Sequence, residues 1–214
     1  MSENAVTRGK FITVEGIEGV GKSTNIEFIC QHIDSMSIEC VVTREPGGTP
    51  MAEEIRAVLL AHREESVSST AELLLMFAAR AQHLDQFIKP KLNHGCWVVS
   101  DRFTDATYAY QGGGRKIDLA RIRILEDYVQ AAFRPDLTIL LDAPIEIGLT
   151  RATRRGELDR FEKEKLDFFD RVRSVYLSRA EENRGRTRIV DASRPLAEVQ
   201  EQIRHVLNEQ FAGV

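Results

Sequence analysis

The sequence predicts an α/β fold, a parallel sheet with helices on both faces, on three observations. Short, nearly all-apolar runs alternate with longer amphipathic stretches along the 214 residues, as strands buried on both faces and joined by crossover helices require. The first such run, KFITVE, leads into Gly16–Ser23, a G-x-x-x-x-G-K-S frame, and then into a helical pattern. That strand-to-helix setting is what gives the frame meaning as a phosphate-binding loop. Polar and glycine-rich clusters follow the apolar runs, where ligands bind in open parallel sheets.

Taken in order, strands are expected at FITVE (11–15), ECVVT (39–43), CWVVS (96–100), LTILLD (137–142) and RIVDA (188–192). Helices are expected over 22–35, 52–61, 69–93, 118–132, 145–155, 162–183 and 195–210. In the first helix Ile26, Ile29, Cys30 and Ile33 recur at three and four residues, one apolar face. No repeat, linker or low-complexity tract divides the chain, so residues 1–214 read as a single domain.

Composition excludes several classes. Hydrophobic content of 43% and charged content of 29% are ordinary for a globular protein. A net charge of −4 argues against a nucleic-acid partner. The opening MSENAVTRGK has no apolar signal region and no run approaches a membrane span, so the expectation is a cytoplasmic, reduced protein without a membrane partner. Cys30, Cys40 and Cys96 form no C-x-x-C pair and read as small core residues. His32, His62, His83, His94 and His205 show no ligand spacing and read as structural, and Trp97 as core.

The loop itself, Gly16, Ile17, Glu18, Gly19, Val20, Gly21, Lys22, Ser23 and Thr24, is read as the ATP-binding element. Its glycines let consecutive N–H groups converge on phosphate oxygens. Lys22 can reach the β- and γ-phosphates, the Ser23 hydroxyl can ligate Mg²⁺, and the helix N-terminus adds positive charge. Asp101, ending the third strand, is the candidate second metal residue, and Arg102 beside it a phosphate clamp. Asp142 is a rival for the metal role, but it lacks a basic neighbour. Between Gly16 and Gly21 the loop carries no basic residue, so further positive charge must come from elsewhere. The cluster RATRRGELDRFE (151–162) is the candidate source, with Arg151 and Arg155 on one helix face and Arg160 beyond Gly156. The alternative is a solvated helix end paired with Glu157, Asp159 and Glu162.

Together, EGIEGVGKST, TREPGGT, LLLMFAARAQH, DRFTDATYAYQGGGR, FRPDLTILLD and RRGELDRFE closely resemble the bacterial thymidylate kinase family, in this order and over nearly the whole chain. The resemblance implies a P-loop nucleoside monophosphate kinase fold, a five-stranded parallel sheet surrounded by helices, with a lid loop at about 151–162. It implies Mg²⁺-dependent phosphoryl transfer from ATP to dTMP by a cytoplasmic homodimer. Lys22 and Ser23 match the family's phosphate-loop lysine and metal-side hydroxyl, and Glu18 an acid near the acceptor's sugar and phosphate. Arg102 and Arg56 match arginines holding the acceptor phosphate, and Glu45 belongs to the loop bracketing it. Arg80, Thr107 and Gln111 match positions contacting thymine; Tyr110 matches a tyrosine against the sugar, where it selects deoxyribose. Arg155, supported by Arg151 and Arg160, matches the catalytic arginine of the subclass that supplies it from the lid.

Where many relatives place a base-stacking phenylalanine, this chain has Met76, with Phe77 adjacent; either side chain can cover the base, and Phe77 is the candidate named. A kinase mechanism also follows from charge, because two phosphorylated substrates meeting in line need the cations that Lys22, Arg102, Arg56, Arg155 and Mg²⁺ provide. A GTP-driven switch is the other class considered, but no N-K-x-D guanine motif occurs. A kinase for another nucleoside monophosphate is the nearer alternative.

Overall fold

The computed structural model describes residues 7–61, 63–153 and 164–212. Five strands, β1 (Phe11–Glu15), β2 (Cys40–Arg44), β3 (Trp97–Asp101), β4 (Leu137–Asp142) and β5 (Thr187–Asp191), pair in parallel in the order β2-β3-β1-β4-β5. The central strand shows why an unbroken apolar run was needed. From β1, Ile12 and Val14 enter one core, with Ile26, Ile29 and Ile33 and with Val172, Tyr176 and Ile203. Phe11 points the other way, onto Leu84, Ile88 and Leu92. Alternate residues thus meet helices on opposite faces, and no face remains for water.

The helices are α1 (Lys22–Ser35), α2 (Pro50–Leu60), α3 (Ser69–His83), α4 (Lys89–Asn93), α5 (Thr104–Thr107), α6 (Leu119–Gln130), α7 (Ile145–Thr153), α8 (Leu166–Glu182) and α9 (Leu196–Gln210). Side-chain caps fix two of their starts. Thr49 Oγ1 accepts from Ala52 N–H ahead of Pro50, and Asp118 Oδ1 accepts from Ala120 N–H.

Two π-helical turns depart from the sequence reading. Leu84–Ile88 joins α3 to α4 inside the stretch expected as one helix. Tyr108–Gly114, with its three glycines, extends α5 through a segment where no helix was expected. Those glycines serve close packing: a Cβ on Gly113 would meet Arg171 O of α8 at 2.8 Å. Cys96 is buried as expected, whereas Cys30 and Cys40 are only half-buried, with Sγ atoms 2.8 Å apart between α1 and β2.

Candidate active site

The carboxyl ends of β1, β2 and β3 open onto one cavity of about 500 Å³. After β1 the chain turns at Gly16, whose φ of +138° and whose contact with Leu141 O, 2.5 Å from where a Cβ would sit, admit only glycine. Ile17 and Val20 are buried beneath the loop, and α1 starts at Lys22. The Lys22 ammonium donates to Gly16 O at 3.2 Å and Ile17 O at 3.0 Å, so it folds over the loop. Burial, and then the charge of Arg102, push Lys22 down to about 8.

β3 delivers Asp101 and Arg102. Arg102 has φ +70°, an uncommon conformation for a residue with a side chain. Three bonds hold the turn: Arg102 N–H donates to Val14 O at 3.0 Å, Phe103 N–H to Glu15 Oε1 at 2.7 Å, and Ser100 Oγ–H to Arg102 O at 2.8 Å. The guanidinium thereby lies 4.6 Å from the Tyr110 ring centroid and donates to Glu18 Oε1 at 2.8 Å. The Tyr110 hydroxyl donates to both Glu18 oxygens, at 2.7 and 2.8 Å. Burial works against the charge on Glu18, yet Arg102, Lys22 and Tyr110 hold its carboxyl below the usual range. Burial keeps Tyr110 protonated far above the usual phenol range, as its donor role requires.

Asp101 Oδ1 is buried without a hydrogen-bond partner among the described residues, and Asp101 shares the cavity wall with Ser23. A divalent cation fits this pair, because an unsatisfied carboxylate oxygen and a hydroxyl are hard donors. The rival Asp142 is occupied otherwise, accepting from Arg173 Nε at 2.7 Å and Nη2 at 2.8 Å.

The cavity wall also carries Arg80 of α3, 2% exposed. Its Nε donates to Glu45 Oε2 at 2.7 Å; its Nη2 donates to Phe103 O at 3.1 Å and Thr107 Oγ1 at 2.9 Å. Its Nη1 is buried without a partner among the described residues. The Phe77 and Phe103 rings flank the guanidinium at 4.9 and 5.0 Å. Gln111 also lines the cavity, and Arg56 does so while donating to Pro46 O at 2.9 Å.

Of the residues singled out from the sequence, Glu18, Gly19, Gly21, Lys22, Ser23, Thr24, Glu45, Arg56, Arg80, Asp101, Arg102, Thr107, Tyr110, Gln111 and Arg151 meet on this cavity. Phe77 is corrected: it packs with Leu73, Tyr108 and Ile122 beneath Arg80, and its neighbour Met76 lines the cavity instead. The two side chains point apart because successive helical residues lie about 100° apart. Arg151 Nη1 donates to Ala192 O at 2.9 Å, while Arg155 and Arg160 lie outside the described residues.

The thymidylate kinase family model matches residues 14–203. The chain belongs to the thymidylate kinase family. It is 59% identical over 206 residues to a thymidylate kinase of Hahella chejuensis, covering 96% of this chain and 99% of the relative. With a thymidylate kinase of Pseudomonas savastanoi pv. phaseolicola it shares 57% identity over 192 residues, 90% of this chain and 91% of the relative. The crystal structure of thymidylate kinase from Ehrlichia chaffeensis superposes with a TM-score of 0.76 at 31% identity, covering 94% of this chain and 99% of that one.

In this family member three buried side chains near the cavity escaped the sequence reading as site residues. Glu15 sits at the end of β1 and accepts from Phe103 N–H and, at 3.0 Å, from Tyr176 O–H. Glu72 accepts from Gln111 Nε2 at 3.0 Å. His83, read as structural, bridges Glu45 (Nδ1 to Oε1, 3.2 Å) and Thr43 (Nε2 to Oγ1, 2.6 Å). A polar residue inside an apolar helix is the signal available for Glu72 and His83. Glu15, between Val14 and the phosphate loop, has none.

Proposed function

We propose that this protein transfers the γ-phosphoryl group of ATP to dTMP, giving dTDP and ADP. The observation that carries the acceptor side is Arg80 Nη1, a buried donor with no partner among the described residues, on the wall of a cavity that the phosphate loop also lines. A buried N–H left unpaired costs about 1–3 kcal/mol. The ring carbonyl of a thymine seated in the cavity would satisfy it.

An oxygen of the acceptor's phosphate attacks the γ-phosphorus, and the bond to the β–γ bridging oxygen breaks, so the electron pair leaves with ADP. The nucleophile is already ionised at neutral pH, so no general base is required. Lys22 follows the phosphates from the donor side, and Arg102 and Arg56 fix the acceptor phosphate in line. Glu18, anchored by Arg102 and Tyr110, crowds the acceptor sugar. Tyr110 fills the space that a 2′-hydroxyl would need. Arg155, with Arg151 and Arg160 from the segment around 151–162, would neutralise charge on the phosphoryl group in flight. Ser23 and Asp101 would hold Mg²⁺, which would supply charge neutralisation on the nucleotide's phosphates.

The homodimer expectation is supported by large apolar side chains on α3 and α6, Leu74 (52% exposed), Ile124 (67%) and Tyr128 (87%), which together suit an isologous contact. Sedimentation at about twice the 24.2 kDa chain mass is expected; a single-chain mass refutes it. The site of action proposed is the cytoplasm. Among the described residues no helix is long and apolar enough to cross a membrane.

The test of function is ADP release from ATP, with and without Mg²⁺, using dTMP, dUMP, ribose TMP, dCMP, dGMP and dAMP as separate acceptors. Metal-dependent turnover fastest with dTMP, and slower with dUMP, is expected. Another monophosphate in the lead, or nucleotide binding without turnover, overturns the reading.

A further inference from the structure

Gln111 is 1% exposed and lies on the cavity wall beside Thr107 and Arg80. Its Nε2 donates at 3.0 Å to Glu72 Oε1. Glu72, itself 1% exposed, is salt-bridged to Arg115 Nε at 3.2 Å, and Arg115 is anchored again by Glu164. An amide side chain can present either its NH₂ or its carbonyl, and which one is decided by the groups that hold it. A carboxylate held by arginine accepts only. It therefore draws the Gln111 NH₂ to itself and leaves Oε1, to which no described residue donates, for the cavity.

We propose that Glu72 is a positioning residue that sets the hydrogen-bond polarity of the base pocket, turning Gln111 into an acceptor that selects a pyrimidine ring bearing N3–H. The inference rests on the reading of Gln111 as a thymine-facing residue. A thymine or uracil ring offers N3–H to Gln111 Oε1 and its 4-carbonyl to Arg80 Nη1. A cytosine ring offers an acceptor at N3 and an amine at C4, so acceptor meets acceptor and donor meets donor. Rejection of dCMP then comes from repulsion built into the pocket as much as from attraction to dTMP.

Glu72→Gln tests this, because a glutamine accepts or donates with nearly the same shape, and the Gln111 amide is no longer oriented. In steady-state assays against dTMP and dCMP, the preference for dTMP is expected to fall by about tenfold or more. KM for dTMP should rise, with KM for ATP unchanged. A merely structural glutamate would lower both activities together and leave their ratio intact. Gln111→Leu, assayed alongside, separates the two levels of the argument. If Gln111→Leu loses discrimination while folded Glu72→Gln keeps the wild-type ratio, the positioning role is refuted and the thymine-facing reading stands. If Gln111→Leu also keeps the ratio, the thymine-facing reading fails and the inference with it. Should Glu72→Gln not fold, side-chain NMR of the wild type decides: Gln111 amide protons protected from exchange before dTMP is added support the proposal, and unprotected ones overturn it.

Discussion

Among the buried carboxylates, Glu15 is one whose charge its burial opposes. Burial, with the neighbouring charge of Asp105 adding to it, pushes Glu15 up to about 8, while Arg102 and the donors Tyr176 and Phe103 N–H pull the other way. A folded-state value above the unfolded one means that the group contributes stability fully below about 4.5 and loses it as pH rises towards about 8. Urea unfolding of the wild type and Glu15→Gln at pH 5 and 8.5 should therefore show the variant gaining on the wild type as pH rises. A difference that stays constant would mean that no proton is held there. The same residue marks the limit of sequence reading at this scale. Lys22 and Ser23 were legible because a spacing motif names them. Glu15 acts through the Phe103 N–H and the Tyr176 O–H, and no spacing encodes bonds between residues so far apart in the chain. Met76 and Phe77 were ambiguous for a related reason, since adjacent helical positions differ in direction and only the packing of α3 settles which one meets the cavity.

Elements were read well where periodicity speaks and poorly where packing overrides propensity. The bounds expected for α1, β1 and β4 are those observed, because an apolar run or stripe flanked by polar residues leaves little choice. YQGGG lay outside the helices expected, and glycine is a weak helix former, yet here it lets the π-helical turn approach α8. Gly113→Ala should lower the unfolding free energy by about 1–3 kcal/mol, the usual cost of overpacking, because the added carbon meets the backbone of Arg171 in addition to Val175 Cγ2 at 2.8 Å. Thermal melting reads this directly. An unchanged melting temperature would show that α8 yields without cost. Because the same turn carries Tyr110 and Gln111, KM for dTMP should rise in the variant as well.

At the scale of the whole molecule, the alternation of strands and helices specified a parallel sheet but not its order, since the pattern is the same whichever strand is central. Placing β1 in the middle brings the phosphate loop between the ends of β3 and β4, so that Arg102 and the loop face one cavity. Family resemblance located most of the cavity wall, yet the hydrogen bonds that orient it from behind, through Glu72, Glu15 and His83, needed the fold. The strand order also has a consequence in time. β1 is synthesised first but pairs with β3 and β4, whose residues come far later in the chain. At about 5–20 residues per second of translation, the strand bearing the phosphate loop spends several seconds with both edges unclaimed. The central strand of the finished sheet is thus the one that the nascent chain must shield longest.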